Sequence, residues 1–257
     1  MKTNSLGFIG GGRITRIFLQ GFKNKSVLFE SVKIYECKKE IGEMLAIAFP
    51  EIECAKKIES VASQEMVIIA VHPPVVMETL EKIKDSVNEK TVVISLAPKI
   101  TIEKMASVLP TKKLVRMIPN ATSFINEGYN PVSFHPEMDK KEKKGIKKLF
   151  KSLGKIFETE EEKLESYAIV SAMLPTYFWF QWLEIERIAK VTGLTVKEAR
   201  RTVKSTMKKA IKLYYNSGLS PLEVMDLIPI KPIGDDETII TDIFDTRLME
   251  LYGKIKP

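Results

Sequence analysis

The chain has few of the residues that announce chemistry by themselves: among its 257 residues are two cysteines, two histidines and two tryptophans. Cys37 and Cys54 make neither a CxxC pair nor a disulfide framework. That excludes a disulfide-stapled secreted scaffold and leads us to expect a reducing, cytoplasmic compartment. No metal-ligating pattern is present, so no metal is expected. The opening five residues run straight into an apolar strand pattern, with no targeting segment expected. Long apolar runs are also missing. The best candidate, residues 168–185, is interrupted by Pro175, Gln181 and Glu184 and carries its aromatics centrally. It reads as a core or interface helix rather than a membrane span. There is no internal repeat, and the single biased stretch is lysine-rich.

What is present is an ordinary globular composition, 44% hydrophobic and 28% charged, with a net charge of +7. Much of that charge lies in residues 139–155, where Lys140, Lys141, Lys143, Lys144, Lys147 and Lys148 alternate with apolar residues at helical spacing: Ile146, Leu149, Phe150, Leu153 and Ile156. This predicts an amphipathic helix with a solvated lysine face. A nucleic-acid surface would need exposed aromatics among the lysines or a recognisable binding module, and neither is seen. Neither nucleic acid nor membrane is therefore expected as a partner.

Apolar strand patterns at 6–9, 32–35, 66–71, 91–96 and 113–117 alternate with helical patterns at 14–22, 40–49, 74–85 and 101–109. The run Met66-Val67-Ile68-Ile69-Ala70-Val71 has no polar face, as expected of a strand covered on both sides of a parallel sheet. Strands alternating with helices predict an α/β, doubly wound parallel sheet. Beyond about residue 162 helical patterns dominate: 164–174, 175–192, 195–217 and 221–227. Thr195 and Glu198 have the capping-box form. Two domains are predicted, residues 1–162 and 163–257.

Gly10-Gly11-Gly12-Arg13-Ile14-Thr15 stands between the first strand and the first helix. The first glycine permits a tight turn and the second lets a pyrophosphate approach the backbone. The helix start offers free N–H groups and the positive end of its dipole. The third fingerprint position is Thr15, bulkier than the usual Gly or Ala. This predicts a Rossmann-type dinucleotide site at Gly10, Gly12, Arg13 and Ile14. Glu36 ends the second strand, where a carboxylate accepts from ribose hydroxyls and favours NAD. Lys38 and Lys39, or Arg13, could instead attract the 2′-phosphate of NADP. The expectation is NAD or NADP, leaning to NAD.

These residues and several further segments resemble the pyrroline-5-carboxylate reductase family, nearly end to end. Gly7-Phe8-Ile9-Gly10-Gly11-Gly12 is similar to the family's GFIGxGNM, and Ala70-Val71-His72-Pro73 to its AVKP. Ser95-Leu96-Ala97 is similar to SIAAG, and Arg116-Met117-Ile118-Pro119-Asn120 to RxMPN. Ser171 to Tyr177 stands where the family has SGSGPAY, and Glu184 matches a glutamate on its long interface helix. The resemblance implies a Rossmann domain followed by an all-helical dimerisation domain, giving a homodimer or higher assembly. It also implies hydride transfer from reduced nicotinamide to a C=N or C=O bond of a small imine or ketone. Ala70, Val71, Pro73, Ala97 and Asn120 then join the cofactor set.

The departures fall in the substrate half. The family's SPGGTT loop corresponds to Lys231-Pro232-Ile233-Gly234-Asp235-Asp236, with carboxylates in place of hydroxyls. If Asp235 and Asp236 face the pocket, an anionic imino acid binds poorly unless Lys231 points inward. Met173 and Leu174 replace small residues, and His72 replaces a lysine. His72 is a candidate proton donor to a substrate nitrogen, or else a group packing beside the nicotinamide. The expected catalytic set is His72, Lys231, Asp235 and Asp236. The alternatives are a genuine pyrroline-5-carboxylate reductase of proline biosynthesis and a non-catalytic nicotinamide-nucleotide-binding protein. Deazaflavin-dependent NADP reductases share the N-terminal pattern but usually lack the helical tail.

Overall fold

A computed structural model describes residues 5–257; residues 1–4, read above as the lead-in to the first strand, lie outside the described residues. The chain forms two compact units, one running to Ala172 and including Tyr252–Pro257, the other Met173–Leu251. In the first, elements alternate as β1 (Ser5–Ile9), α1 (Arg13–Asn24), β2 (Ser31–Tyr35), α2 (Lys39–Ala48), β3 (Glu53–Cys54), α3 (Ile58–Ala62), β4 (Met66–Ile69), α4 (Val76–Ile83), β5 (Val92–Ser95), α5 (Ile102–Ala106) and β6 (Leu114–Met117). They continue as β7 (Gly128–Phe134), α6 (Lys140–Phe150), β8 (Gly154–Glu158) and α7 (Leu164–Tyr167). The eight strands form one sheet in the order β3-β2-β1-β4-β5-β6-β7-β8. Every pairing is parallel except β6 with β7. This is the expected doubly wound sheet, with the crossover point between β1 and β4.

The period-two pattern of the strands sorts side chains into two cores. Phe8, Ile34, Ile68, Ile94 and Val115 face one layer, packing with Phe18 and Phe22 of α1 and Phe150 of α6. Ile9, Val67, Ile69, Val93 and Leu114 face the other, with Val76, Leu80 and Ile83 of α4 and Met105 of α5. Every residue of β4 and β5 is buried, which accounts for their lack of a polar face. Phe18 and Phe150 meet edge-on, their ring centroids 5.8 Å apart.

The lysine-rich helix is shorter than its periodicity suggests. α6 ends at Phe150, a single turn Lys151–Leu153 follows, and Ile156 belongs to strand β8. The break is Gly154, at φ +131°, which passes so close to Gly128 that a Cβ would lie 2.2 Å from the Gly128 nitrogen. The pattern at 164–174 is likewise not one helix: α7 gives way to a wider π-helical stretch, Ala168–Ala172. β3, β8 and α3 were not expected.

The second unit carries α8 (Leu174–Val191), α9 (Val196–Asn216), α10 (Pro221–Asp226) and most of α11 (Glu237–Ile255), the last without a counterpart in the predicted elements. The Thr195–Glu198 capping box is formed, Glu198 Oε2 accepting from the Thr195 N–H at 2.9 Å. Ala199 is buried, yet α8, α10 and α11 contain no buried residue. Phe180, Leu183, Leu222 and Ile239 are exposed. Among the described residues, no helix is long and apolar enough to cross a membrane.

The Gly128–Gly154 crossing yields a direct test. Gly154→Ala places a Cβ into backbone at a φ that L-residues avoid, and should cost more than about 2 kcal/mol. Denaturant unfolding checks it; a stability equal to the wild type would mean the crossing is looser than the distances imply.

Candidate functional site

The C-terminal strand ends converge around the turn that joins β1 to α1. Gly10 adopts φ +104°, and a Cβ there would come within 2.6 Å of the Ala70 carbonyl oxygen, so only glycine lets β1 and β4 close up at this point. The Gly10 N–H donates to the Tyr35 carbonyl at 2.8 Å. Thr15 is fully buried, and its hydroxyl donates to the Gly10 carbonyl at 2.6 Å. The bulk at the third fingerprint position is therefore used to tie the helix back onto the turn. At Gly12 the situation is opposite: nothing lies within 4 Å of a would-be Cβ. Gly12 caps α1 with no side-chain cap and no acidic residue in the first turn, so no side chain of the helix start competes for an anion there.

A cavity of about 820 Å³ opens above this turn. From the predicted set, Gly12, Arg13 and Ile14 line it on the glycine-turn side. Ala70, Val71, His72 and Pro73 line it after β4, and Ala97 after β5. Gly10, Glu36 and Asn120 of the predicted set are not among its lining residues. Glu36 Oε2 accepts from the Gly11 N–H at 2.7 Å, and Oε1 accepts from the Lys38 N–H at 2.9 Å. Beside it, the Tyr35 phenol is held above its ordinary pKa, chiefly by its hydrogen bond to Cys37.

Asn120 is nearly buried and its side chain is fully engaged. Its oxygen accepts from the N–H and hydroxyl of Thr122, and its amide donates to the hydroxyl and carbonyl of Ser171. It holds the turn that presents its neighbour Pro119 to the cavity.

His72 is exposed, directly before Pro73. Lys231, Asp235 and Asp236 are exposed too, in the second unit, around the short turn Gly234–Asp236 that leads into α11. The Lys231 carbonyl accepts from the Gly234 N–H at 3.0 Å. Among the described residues, no group of three or more His, Cys, Asp or Glu side chains is arranged to hold a metal ion.

Sequence reasoning passed over two features. Leu96, Pro98 and Pro119 line the cavity because they follow β5 and β6 at the same sheet edge, a position the strand pattern already specifies. The other is a buried ionic cluster. Arg116 of β6 is fully buried and pairs with Glu161 at 2.9 Å and with buried Glu165. Its signal was a single charge inside the apolar strand Leu114–Met117, which requires a buried partner.

Comparison with known proteins places this geometry. Residues 5–99 match the family model described as NADP oxidoreductase, coenzyme F420-dependent. A pyrroline-5-carboxylate reductase of Corynebacterium melassecola is 20% identical over 227 residues, covering 86% of this chain and 83% of that protein. Among solved structures, 1-pyrroline-5-carboxylate reductase from Streptococcus pyogenes superposes with a TM-score of 0.81 at 18% identity, covering 100% of this chain and 99% of that one. Pyrroline carboxylate reductase from Plasmodium falciparum, solved with NADP bound, gives 0.79 at 19% identity, covering 99% and 96%. The chain is thus similar in sequence, over most of its length, to a pyrroline-5-carboxylate reductase, and similar in fold to two solved ones.

Proposed function

We propose that the chain is an NAD(P)-dependent oxidoreductase that reduces the C=N or C=O bond of a small molecule, with a substrate site changed from that of pyrroline-5-carboxylate reductases. The observation that carries this is the pairing of a pinned turn at Gly10 with open space at Gly12, over a helix N-terminus that faces the cavity. Those features fit a dinucleotide pyrophosphate. Gly12 and the first N–H groups of α1 would hold the phosphates, with Arg13 supplying positive charge. Glu36 would take the adenosine ribose, and the segments after β4, β5 and β6 would receive the nicotinamide half. Glu36 favours NAD, whereas Arg13 and Lys38, which also line the cavity, favour NADP.

When bound, the reduced nicotinamide supplies the hydride. The protein's part is then to orient, to exclude water and to deliver a proton. Val71, Leu96 and Ala97 give the cavity apolar walls near this end. His72 is the candidate proton donor to the substrate nitrogen or oxygen. Asp235 and Asp236 in place of the relatives' hydroxyl-bearing loop favour an uncharged or cationic substrate over an anionic imino acid. The functional division is proposed as nucleotide binding in residues 1–162 and substrate binding with dimerisation in 163–257, in the cytoplasm.

A second copy of the chain is part of this reading. Three helices of the second unit bury no residue, and their exposed apolar side chains need a covering surface. Light scattering should give at least a dimer; a monodisperse monomer at micromolar concentration would remove this part of the proposal.

Two substitutions test the nucleotide site. Gly12→Val should leave the melting temperature within a few degrees of the wild type, since a Cβ there meets nothing within 4 Å, while NADH and NADPH binding fall at least about a hundredfold. Binding unchanged in a folded variant would place the pyrophosphate elsewhere. Glu36→Ala should weaken NADH by roughly tenfold more than NADPH, the loss of one charge-assisted hydrogen bond. Equal losses would assign Glu36 to bracing Gly11 alone. For the reaction, NADH and NADPH oxidation is followed with pyrroline-5-carboxylate and with uncharged and cationic imines and ketones. Turnover restricted to pyrroline-5-carboxylate would make the chain a proline-pathway enzyme, and binding without turnover on any of them would make it a non-catalytic nucleotide binder.

A further inference from the structure

The loop after β5 is held by carboxylates from a distant part of the chain. Leu96, Ala97 and Pro98 line the cavity, and Lys99 follows at φ +73°, a left-handed backbone that a residue with a side chain keeps only where its surroundings hold it. Its backbone N–H groups are secured by side chains. Ala97 N–H donates to Ser95 Oγ at 3.3 Å, Lys99 N–H to Glu165 Oε1 at 3.0 Å, and Ile102 N–H to Glu161 Oε1 at 2.7 Å. Both carboxylates are in turn gripped by Arg116, whose guanidinium bonds Glu161 Oε1 at 2.9 Å and the same Glu165 oxygen that receives Lys99. Arg116 and Glu165 are each 1% exposed. A charged pair removed this far from water has no solvent to turn to, so its hydrogen bonds fix the local geometry.

We propose that Glu165, locked by Arg116, is a positioning residue for the nicotinamide end of the cavity: it fixes the left-handed Lys99 backbone and so sets where Ala97 and Pro98 stand. This rests on the nucleotide-site reading above. The adenosine end, at Glu36 and Gly12, has its own anchors and does not depend on the clamp.

The test separates positioning from mere stability. Arg116→Met with Glu165→Met removes both charges together, a replacement that buried ion pairs commonly tolerate without loss of stability, yet it leaves the Lys99 N–H without its acceptor. Affinities for NADH and NADPH are compared with those for ADP and 2′,5′-ADP, which lack the nicotinamide half. The expected result is a folded double variant that binds the reduced dinucleotides about tenfold more weakly and the half-ligands within twofold of the wild type. Glu165→Gln, which keeps the accepting oxygen, should stay within threefold for all four. A folded double variant with unchanged dinucleotide affinity, or with equal losses for all four probes, overturns the clamp.

Hydrogen exchange of the Lys99 amide in the wild type gives a reading that needs neither ligand nor variant. Protection of a hundredfold or more, at an exposed residue, is expected, and free exchange overturns the clamp. If the wild type binds none of the four probes, the nucleotide-site reading fails, and slow Lys99 exchange would still leave the loop anchor standing.

Discussion

A backbone turn can present its N–H groups to an anion only if its own geometry is held from behind. Here the holding falls on the close approach of the chain leaving β1 to the end of its parallel neighbour β4. Gly10 approaches the Ala70 carbonyl closer than any side chain would permit, and Thr15 ties α1 back to the Gly10 carbonyl. Glu36, from the end of β2, accepts from Gly11. Three neighbouring strands thus meet at one turn, and the open face at Gly12 is what remains. The remaining cavity walls follow from this, because strands in a parallel sheet deliver their C-terminal ends to the same edge. Register brings the segments after β4, β5 and β6 to this edge, and side chains such as Glu165 and Asn120 then hold the loops in place.

The two halves of the chain are stabilised differently. The sheet buries complete strands on both faces and brings a charged cluster into its interior at Arg116. The helical unit has capping boxes on two of its helices, Thr195–Glu198 and Ser220–Glu223, but almost no buried side chains. Capping sets where helices begin and contributes on the order of 1 kcal/mol each; it does not replace a core. The unit's exposed apolar side chains are the reason a second copy belongs to the functional proposal.

Much of the first unit could be read from residues alone. The apolar run at 66–71 and the glycines at 10–12 are local signals, and the structure places a buried strand and a pinned turn there. What stayed hidden depended on contacts between distant residues. Ile156 fits the helical period of the lysine-rich segment, yet Gly154 must pass beside Gly128, and that crossing starts a strand. Asn120, expected in the cofactor set, also bonds Thr122 and Ser171, the latter 51 residues on, a contact that no local pattern announces. Arg116 stood in view inside an apolar strand, while its partners Glu161 and Glu165 lay in a run of glutamates that reads as solvated surface. α11 left no clear period: apolar residues are spread around it, as expected for a helix with no single covered face.

The central claim is that the pinned turn and open helix start form a nicotinamide-dinucleotide site. Calorimetric titration of NADH and NADPH into the full-length protein, at physiological salt, tests it most directly. The account predicts saturable binding of at least one of the two at one site per chain. No detectable binding of either up to millimolar concentration would contradict it.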